Sequence, residues 1–327
     1  MSESNEKMRA MAWPHAGSPE APKVVDVDAP SPQRGEVLVR VVASAVNPAD
    51  EKVSSGSFVG RLLHARVSPL VLGYDFSGVV EACGADVTDL PVGAEVAGHL
   101  AYAGATRQGA FAERVAVDRT TIAVKPASVS HEVAAAAATP ALTALQSLRD
   151  LGRLPDGGRA LIVGAAGGVG SLAIGVGKRL GGKVTAVCST YAMDFVKGLG
   201  ADEVVDRKAQ DPLTLPGPFD VVFDAAAAYS YLACKHQLTP KGAYVRTLPD
   251  LGIGLGKAAA LFSGRRCEFI IVESVRKDLE LVFSWIADGM KVPIDARFPV
   301  RDLAKGLDKL RRGEVRGRLA IQVEGGF

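Results

Sequence analysis

The stretch ALIVGAAGGVGSLAIGVGK, residues 160–178, decides how this chain folds. A short apolar run enters a knot of small residues and leaves it in helical spacing, the pattern of a strand, a tight turn and a helix. The turn has the outline of the dinucleotide loop GxGxxG, with Ala165 standing for the first glycine and Gly167 and Gly170 for the others. Small residues let the backbone approach a pyrophosphate. A helix starting near Val169 then turns free N–H groups and a positive dipole end toward the anion, and Gly170 lets that helix pack close to its strand. Ala166, Gly167, Gly168 and Val169 are therefore the expected phosphate-binding residues. A bare strand-to-helix turn would look the same in isolation. The strand–helix–strand setting favours the loop.

Outward from this stretch the rhythm is uneven. Upstream, VLVRVVASAVN (37–47), SGVVEAC (77–83), AEVAGHL (94–100) and AFAERVAVD (110–118) are rich in Val and Ala and broken by Gly and Pro. They read as β-rich structure without a long helix before about residue 130. A helix is expected at roughly 130–151, followed by strands near 159–164, 183–188, 203–205, 220–224, 242–247 and 268–273. Most of these strands are separated by lengths that hold helices, which argues for a parallel sheet covered on both faces. After residue 275, LELVFSWIADG has helical spacing, and the remainder reads as strand, helix, strand.

Composition narrows the function. At 327 residues, 48% hydrophobic and 23% charged, the chain has the profile of a globular enzyme. A net charge of +2 argues against a broad nucleic-acid or membrane surface. The cluster Lys309-Leu310-Arg311-Arg312 reads as a solvated helix face. The opening MSESNEKMRAMAW has no apolar signal-peptide core, and VAAAAATPALTAL (133–145), broken by Pro140, is too short to span a bilayer. The cysteines at 83, 188, 234 and 267 form no CxxC, and the five histidines form no HxxxH. Four free thiols in a reducing cytoplasm is the plain expectation.

The end of the second strand of a dinucleotide fold selects the cofactor. An NAD site usually places an acid there, about 20 residues past the loop, to hold the ribose 2′-hydroxyl. Here KVTAVC runs into Ser189-Thr190, and Asp194 is expected in the first turn of the next helix. Two hydroxyls leave room for a 2′-phosphate, which Arg207, just after EVVD, would neutralise. NADP(H) is favoured over NAD(H).

Several motifs now fall in order: SAVNPAD (44–50), PLVLGYDFSGVVEACGADV (69–87), GAFAERVAVD (109–118), TPALTAL (139–145), AAGGVGS (165–171), KGLGADEVVD (197–206) and VRGRLAIQV (315–323). Together they resemble the medium-chain dehydrogenase/reductase superfamily, specifically its zinc-free quinone oxidoreductase and enoyl or alkenal reductase branch. The resemblance implies an α/β architecture. A doubly wound Rossmann domain (128–274) is inserted in a β-rich, barrel-like (GroES-like) catalytic domain made from 1–127 and 275–327, with the active site in the cleft between them. It also implies a homodimer that pairs the last Rossmann strand, CEFIIVE (267–273).

Zinc-dependent relatives carry an early Cys, a Gly-His-Glu where this chain has Gly73-Tyr74-Asp75, and a later Cys or Asp; none of these ligands is present. The resemblance thus implies hydride transfer from NADPH to a quinone or to the C=C of an α,β-unsaturated carbonyl, in a site that needs an oxyanion donor and a proton route. Asn47, in NPAD, matches a family position that touches the nicotinamide ribose or the substrate, and Thr143 one near the carboxamide. Asp224, Leu248 and Arg318 complete the expected cofactor set beside Ser189, Thr190 and Arg207.

In strand geometry Asp50 and Lys52 would share a face, and Lys52 is then a candidate donor to a developing enolate oxygen. Tyr74 has the chemistry of a proton donor, though a strand tyrosine is as often core. Enoyl-thioester reductases of the superfamily tend to carry a tyrosine shortly after NPxD, where this chain has Ser57-Phe58, so water is an alternative proton source. Cys267 is expected to be buried, and LGIGLGKAAALFSGRR (251–266) reads as a Gly-rich loop. The competing reading is an NADP(H)-binding protein with a structural or sensing role and no turnover.

Overall fold

Val37, Val39 and Val41 are buried and alternate with half-buried residues along one long strand, as a period-2 pattern dictates. A computed structural model describes residues 6–57, 67–101, 109–248 and 252–327. Eight strands come first: β1 (Lys7–Trp13), β2 (Lys23–Asp28), β3 (Glu36–Val46), β4 (Leu70–Val71), β5 (Asp75–Cys83), β6 (Glu95–His99), β7 (Arg114–Asp118) and β8 (Ile122–Val124). Six follow: β9 (Arg159–Val163), β10 (Lys183–Cys188), β11 (Glu203–Asp206), β12 (Phe219–Asp224), β13 (Leu238–Arg246) and β14 (Arg266–Phe269). Strands β15 (Ile294–Pro299) and β16 (Arg318–Gln322) close the chain. The helices are α1 (Pro48–Ser54), α2 (His131–Leu145), α3 (Gly168–Arg179), α4 (Met193–Gly198), α5 (Tyr231–Cys234), α6 (Gly252–Leu261), α7 (Arg276–Ala287) and α8 (Leu303–Arg311).

The chain divides into two units, Met1–Thr139 with Glu273–Ala287 and Ile294–Phe327, and Pro140–Val272 with Asp288–Pro293. The first division lies later than the composition shift at residue 128 suggested, because α2 runs through it.

In the first unit a seven-stranded sheet orders β15-β16-β3-β5-β6-β8, with β7 also paired to β3, and a small sheet orders β2-β1-β4. Its core gathers Trp13, Leu70, Phe76, Phe111, Leu319 and Ile321. The second unit is a six-stranded sheet, β11-β10-β9-β12-β13-β14, in which every pairing is parallel. Its strands are apolar because helices bury them, and Leu161, Val222, Phe219 and Tyr244 centre the core under them.

Two local expectations fail for identifiable reasons. The segment after Asn47 is helical, so Asp50 and Lys52 lie on different faces: Asp50 is buried and Lys52 exposed. Pro48 opens the helix where no N–H is needed, and the Asp50 carboxylate accepts from the Asn47 N–H at 2.7 Å. The segment expected as a loop at 251–266 instead forms α6, which packs on β14. Gly256 permits that contact, since a Cβ there would lie 2.7 Å from Cys267 Sγ. Cys267 is buried, and β14 is shorter than CEFIIVE suggested. Phe58 lies outside the described residues. No helix among the described residues is long and apolar enough to cross a membrane.

Candidate functional site

In the second unit, β9 ends at Val163 and the chain turns through Gly164–Gly167 into α3. Gly164 takes φ +79°, a left-handed conformation that a side chain resists. Gly170 is where the helix meets the strand: a Cβ there would stand 2.2 Å from the Gly164 carbonyl oxygen. Gly167 differs. It is exposed, and a Cβ there would meet nothing nearer than 3.4 Å. Among the described residues, no carbonyl accepts from the N–H groups of Gly168, Val169 and Gly170, the orphan donors of a helix start. Ala166, Gly167, Gly168 and Val169 therefore form an accessible turn of bare backbone over a close-packed base. That fits a pyrophosphate.

Strand β10 lies beside β9, with Cys188 aligned on Asp206 of β11. Past those ends four polar side chains converge. Arg207 Nε donates to Ser189 Oγ at 2.9 Å, and Thr190 Oγ1 donates to Asp206 at 2.6 Å. The Thr190 hydroxyl and the Lys208 N–H hold the Asp206 carboxyl below its ordinary range. Asp194 sits in the first turn of α4.

Of the remaining residues expected near a cofactor in this unit, Asp224 is wholly buried. Its carboxylate accepts from the N–H groups of Ala228 and Tyr229 at 3.0 and 2.7 Å and from the Tyr244 hydroxyl at 3.1 Å, so it fixes the turn after β12. Thr143 is buried on α2, and Leu248 is exposed after β13.

The first unit holds a buried polar cluster around Asp75, at the start of β5. Its carboxylate accepts from Arg318 on β16 at 2.8 Å, from Asn47 Nδ2 at 3.0 Å, and from the backbone N–H of Thr139 at 2.8 Å. The Thr139 hydroxyl also donates to it. That uses the hydroxyl's one proton, so His99, 2.7 Å away, must donate from Nδ1 to Thr139 Oγ1. Burial pulls the His99 pKa down, against the pull of Asp75, which favours the neutral ring. Arg318 also donates to the Ala136 carbonyl at 2.8 Å. Asn47 and Arg318 are thus brought together on one carboxylate.

Beside them Asp50, also fully buried, accepts from the N–H of Gly73 at 2.9 Å. Burial pushes its pKa up to about 7, with the two backbone donors acting the other way. Tyr74 is buried and its phenol is pushed well above the ordinary range, by burial first and Asp50 second. Lys52 joins neither group.

Asp75, His99 and Thr139 were not singled out by sequence, because their partners come from four separated segments. The Asp50 cap was readable: an Asn followed three residues later by an acid is an N-terminal helix signature. Among the described residues, no group of three or more His, Cys, Asp or Glu is arranged to hold a metal ion.

Comparison with known proteins agrees with this construction. Residues 33–127 match the alcohol dehydrogenase GroES-like domain, and residues 199–321 match the family described as zinc-binding dehydrogenase. The chain is 32% identical over 326 residues to the mitochondrial NAD(P)H oxidoreductase RTN4IP1 of Mus musculus, covering 88% of this chain and 82% of that one. It is 32% identical over 315 residues to the trans-enoyl reductase pgmF of Aspergillus terreus, covering 88% and 86%. The solved quinone oxidoreductase of Coxiella burnetii superposes with a TM-score of 0.87 at 30% identity, over 97% of this chain and all of that one. A parallel dinucleotide-type sheet, an antiparallel unit of the GroES-like kind and these relatives together place the chain in the medium-chain dehydrogenase/reductase superfamily, within its quinone oxidoreductase-like and enoyl reductase branch, as an oxidoreductase.

Proposed function

We propose that the protein is a zinc-independent, NADPH-dependent reductase of quinones or of the C=C of α,β-unsaturated carbonyls. The observation that carries this reading is the Arg207 guanidinium held on Ser189 Oγ at 2.9 Å, past strand β10, beside a glycine turn of accessible backbone. The N–H groups of Gly168 and Val169 bind the pyrophosphate, and Arg207 with Ser189 neutralises a 2′-phosphate. Asp206 accepts from Thr190 and Lys208, one bond at each oxygen, and the reading gives the phosphate to Arg207 and Ser189 beside it. The dinucleotide, when bound, supplies a hydride.

Asp75 fixes the Asn47 side chain by accepting from Nδ2. Asp75 itself is committed to Arg318, Asn47 and Thr139, and so is not available to a metal. The high phenol pKa of Tyr74 keeps its proton in place at neutral pH. Lys52 joins neither buried group, and water is the proton source in this reading.

The protein works as a homodimer in a reducing cytoplasm. The four cysteines are free. Exposed apolar side chains beyond the ends of α6 and β14 support the dimer: Leu261, Phe262 and Ile271 are 82%, 93% and 71% exposed.

The test is oxidation of NADPH, with NADH in parallel, against a 1,4-quinone, a short alkenal, a cyclic enone and an enoyl thioester, on protein of measured metal content. Turnover of an acceptor with metal-free protein and NADPH is expected. Tight NADPH binding with no turnover on any acceptor would favour a non-catalytic dinucleotide-binding role, and one zinc per chain would overturn the metal-free reading.

A further inference from the structure

Arginine-lined clefts occur in both units, and their charge is handled in opposite ways. In the first unit a cleft of about 250 Å³ is lined by Arg9, Arg40 and Arg114. Each is neutralised from within. Arg9 pairs with Glu113 at 2.7 Å, Arg40 with Glu324 and Glu81, and Arg114 with Glu81 at 2.8 Å and Glu6 at 3.1 Å. A cleft balanced in this way has no electrostatic reason to hold an anion.

The second unit carries a larger groove, of about 570 Å³, lined by Arg153, Lys241 and Arg266 together with Thr239 and Asp220. It lies along the edge of the sheet where the parallel strands begin: Asp220 is the second residue of β12, Lys241 belongs to the early part of β13, and Arg266 opens β14. The glycine turn is at the opposite edge, where the strands end. In open α/β sheets the dinucleotide takes the carboxyl edge, so this groove is not part of that crevice.

Its lining carries an excess of positive charge. Among the described residues, neither Arg153, Lys241 nor Arg266 forms an ion pair with a carboxylate, and Asp220 is the single acid in the lining. Asp220 is occupied by the Arg159 N–H at 2.9 Å and, more weakly, by the Thr239 hydroxyl at 3.4 Å.

Arg266 donates through one terminal nitrogen to the Gly152 carbonyl at 2.9 Å, while its other terminal nitrogen is buried with no partner. Burial, and then the like charge of Arg153, pull its pKa down, with Glu268 acting the other way. Arg153 itself holds φ +49°, a left-handed conformation unusual for a residue with a side chain. That conformation closes the preceding helical turn, where the Leu154 N–H donates to the Leu148 carbonyl at 2.9 Å, and it leaves the Arg153 side chain exposed beside Arg266 in the groove lining.

We propose that this groove binds the phosphate group of a small phosphorylated molecule, with Arg153, Lys241 and Arg266 as its cationic wall. The exposed Arg153 fork can match phosphate oxygens in pairs, with Lys241 and Arg266 adding charge, and the groove has the volume of a small-molecule site. The proposal is independent of the activity assigned above, since it concerns the other edge of the sheet.

The test is titration of the full-length protein with inorganic phosphate at low ionic strength, read by calorimetry and by phosphorus NMR line width. Two variants are safe for folding. Arg153→Gly places glycine where φ is already positive, and Lys241→Ala alters an exposed side chain. Each is expected to weaken phosphate binding about fivefold, and the double variant roughly 25-fold, as loss of single partly exposed charges implies. Lys241→Arg should bind as the wild type does. Phosphate binding unchanged in the double variant would place the anion elsewhere, at the glycine turn above all, and would overturn the proposal. So would an absence of binding up to about 20 mM phosphate at low salt, where screening is weakest.

Discussion

The glycine turn after β9 and the cluster around Asp75 are both polar sites built on a dense core, yet they are made from opposite materials. The turn works through missing side chains: Gly170 lets the backbone close to a distance that a Cβ would violate, and Gly167 leaves a surface open. The Asp75 cluster works through side chains that are buried and charged, with Arg318 and Asp75 4% and 0% exposed. Backbone sites tolerate little change in volume and are indifferent to pH. Charged clusters tolerate little change in charge. Substitutions should therefore sort by site and by kind.

The largest effect is expected in the cluster. Arg318→Leu keeps volume but leaves Asp75 as a buried carboxylate without its cation, which should cost about 3–5 kcal/mol of stability. Urea unfolding would read it. Asp75→Asn combined with Arg318→Leu should recover part of that loss, because the stranded charge is gone. A single variant as stable as the wild type would mean that the pair does not govern this site.

Asp50 sharpens the contrast through pH. Its folded pKa of about 7 lies above the ordinary carboxyl value of 3.8, so the folded state keeps a proton that the unfolded chain releases in between. The contribution of Asp50 is fully present below about pH 4, falls as pH rises toward 7, and is flat beyond, by a total on the order of 4 kcal/mol. The groups facing it are the Asn47 and Gly73 N–H donors, Asp75 and Arg318. Between pH 5 and pH 8 the wild type should lose more stability than Asp50→Asn does. Parallel curves for the two proteins would remove Asp50 as the source.

At the glycine turn the expected effects split within three residues. Gly170→Ala forces a Cβ against the Gly164 carbonyl and should destabilise by about 1–3 kcal/mol. Gly167→Ala should change stability by less than about 0.5 kcal/mol, as for an unstrained surface position, while weakening dinucleotide binding. Equal thermal shifts for the two would contradict the division into a packed base and an open face.

How much of this was legible follows from how each site is assembled. The glycine turn is contiguous, so residues 160–178 carried strand, turn and helix together, and the parallel sheet followed from the alternation after them. Asn47 was readable as a motif, but its partner Asp75 lies 28 residues away and Arg318 is 243 from Asp75. No periodicity records such pairings. The misreading of residues 48–54 had a different cause. A seven-residue helix is too short to display amphipathic spacing, and only its Asn-Pro-x-Asp start declares it. Segment 252–261 was obscured by its glycines, which weaken helix propensity while permitting close packing on β14.

The smallest perturbation asks whether a side chain can complete what the backbone site begins. Arg207 is exposed and its guanidinium rests on the Ser189 hydroxyl, so Arg207→Ala should leave stability close to that of the wild type. If the guanidinium meets a 2′-phosphate, NADPH affinity should fall by about 1–3 kcal/mol, as for a charge-assisted hydrogen bond, and NADH affinity should hardly move. The ratio of the two dissociation constants is the decisive quantity, because a general loosening of the turn after β10 would weaken both alike. A raised NADPH constant with NADH unchanged assigns the phosphate to Arg207. Equal losses would return the choice of dinucleotide to Thr190 and Asp206, whose carboxylate would then accept a ribose hydroxyl beside its Thr190 contact.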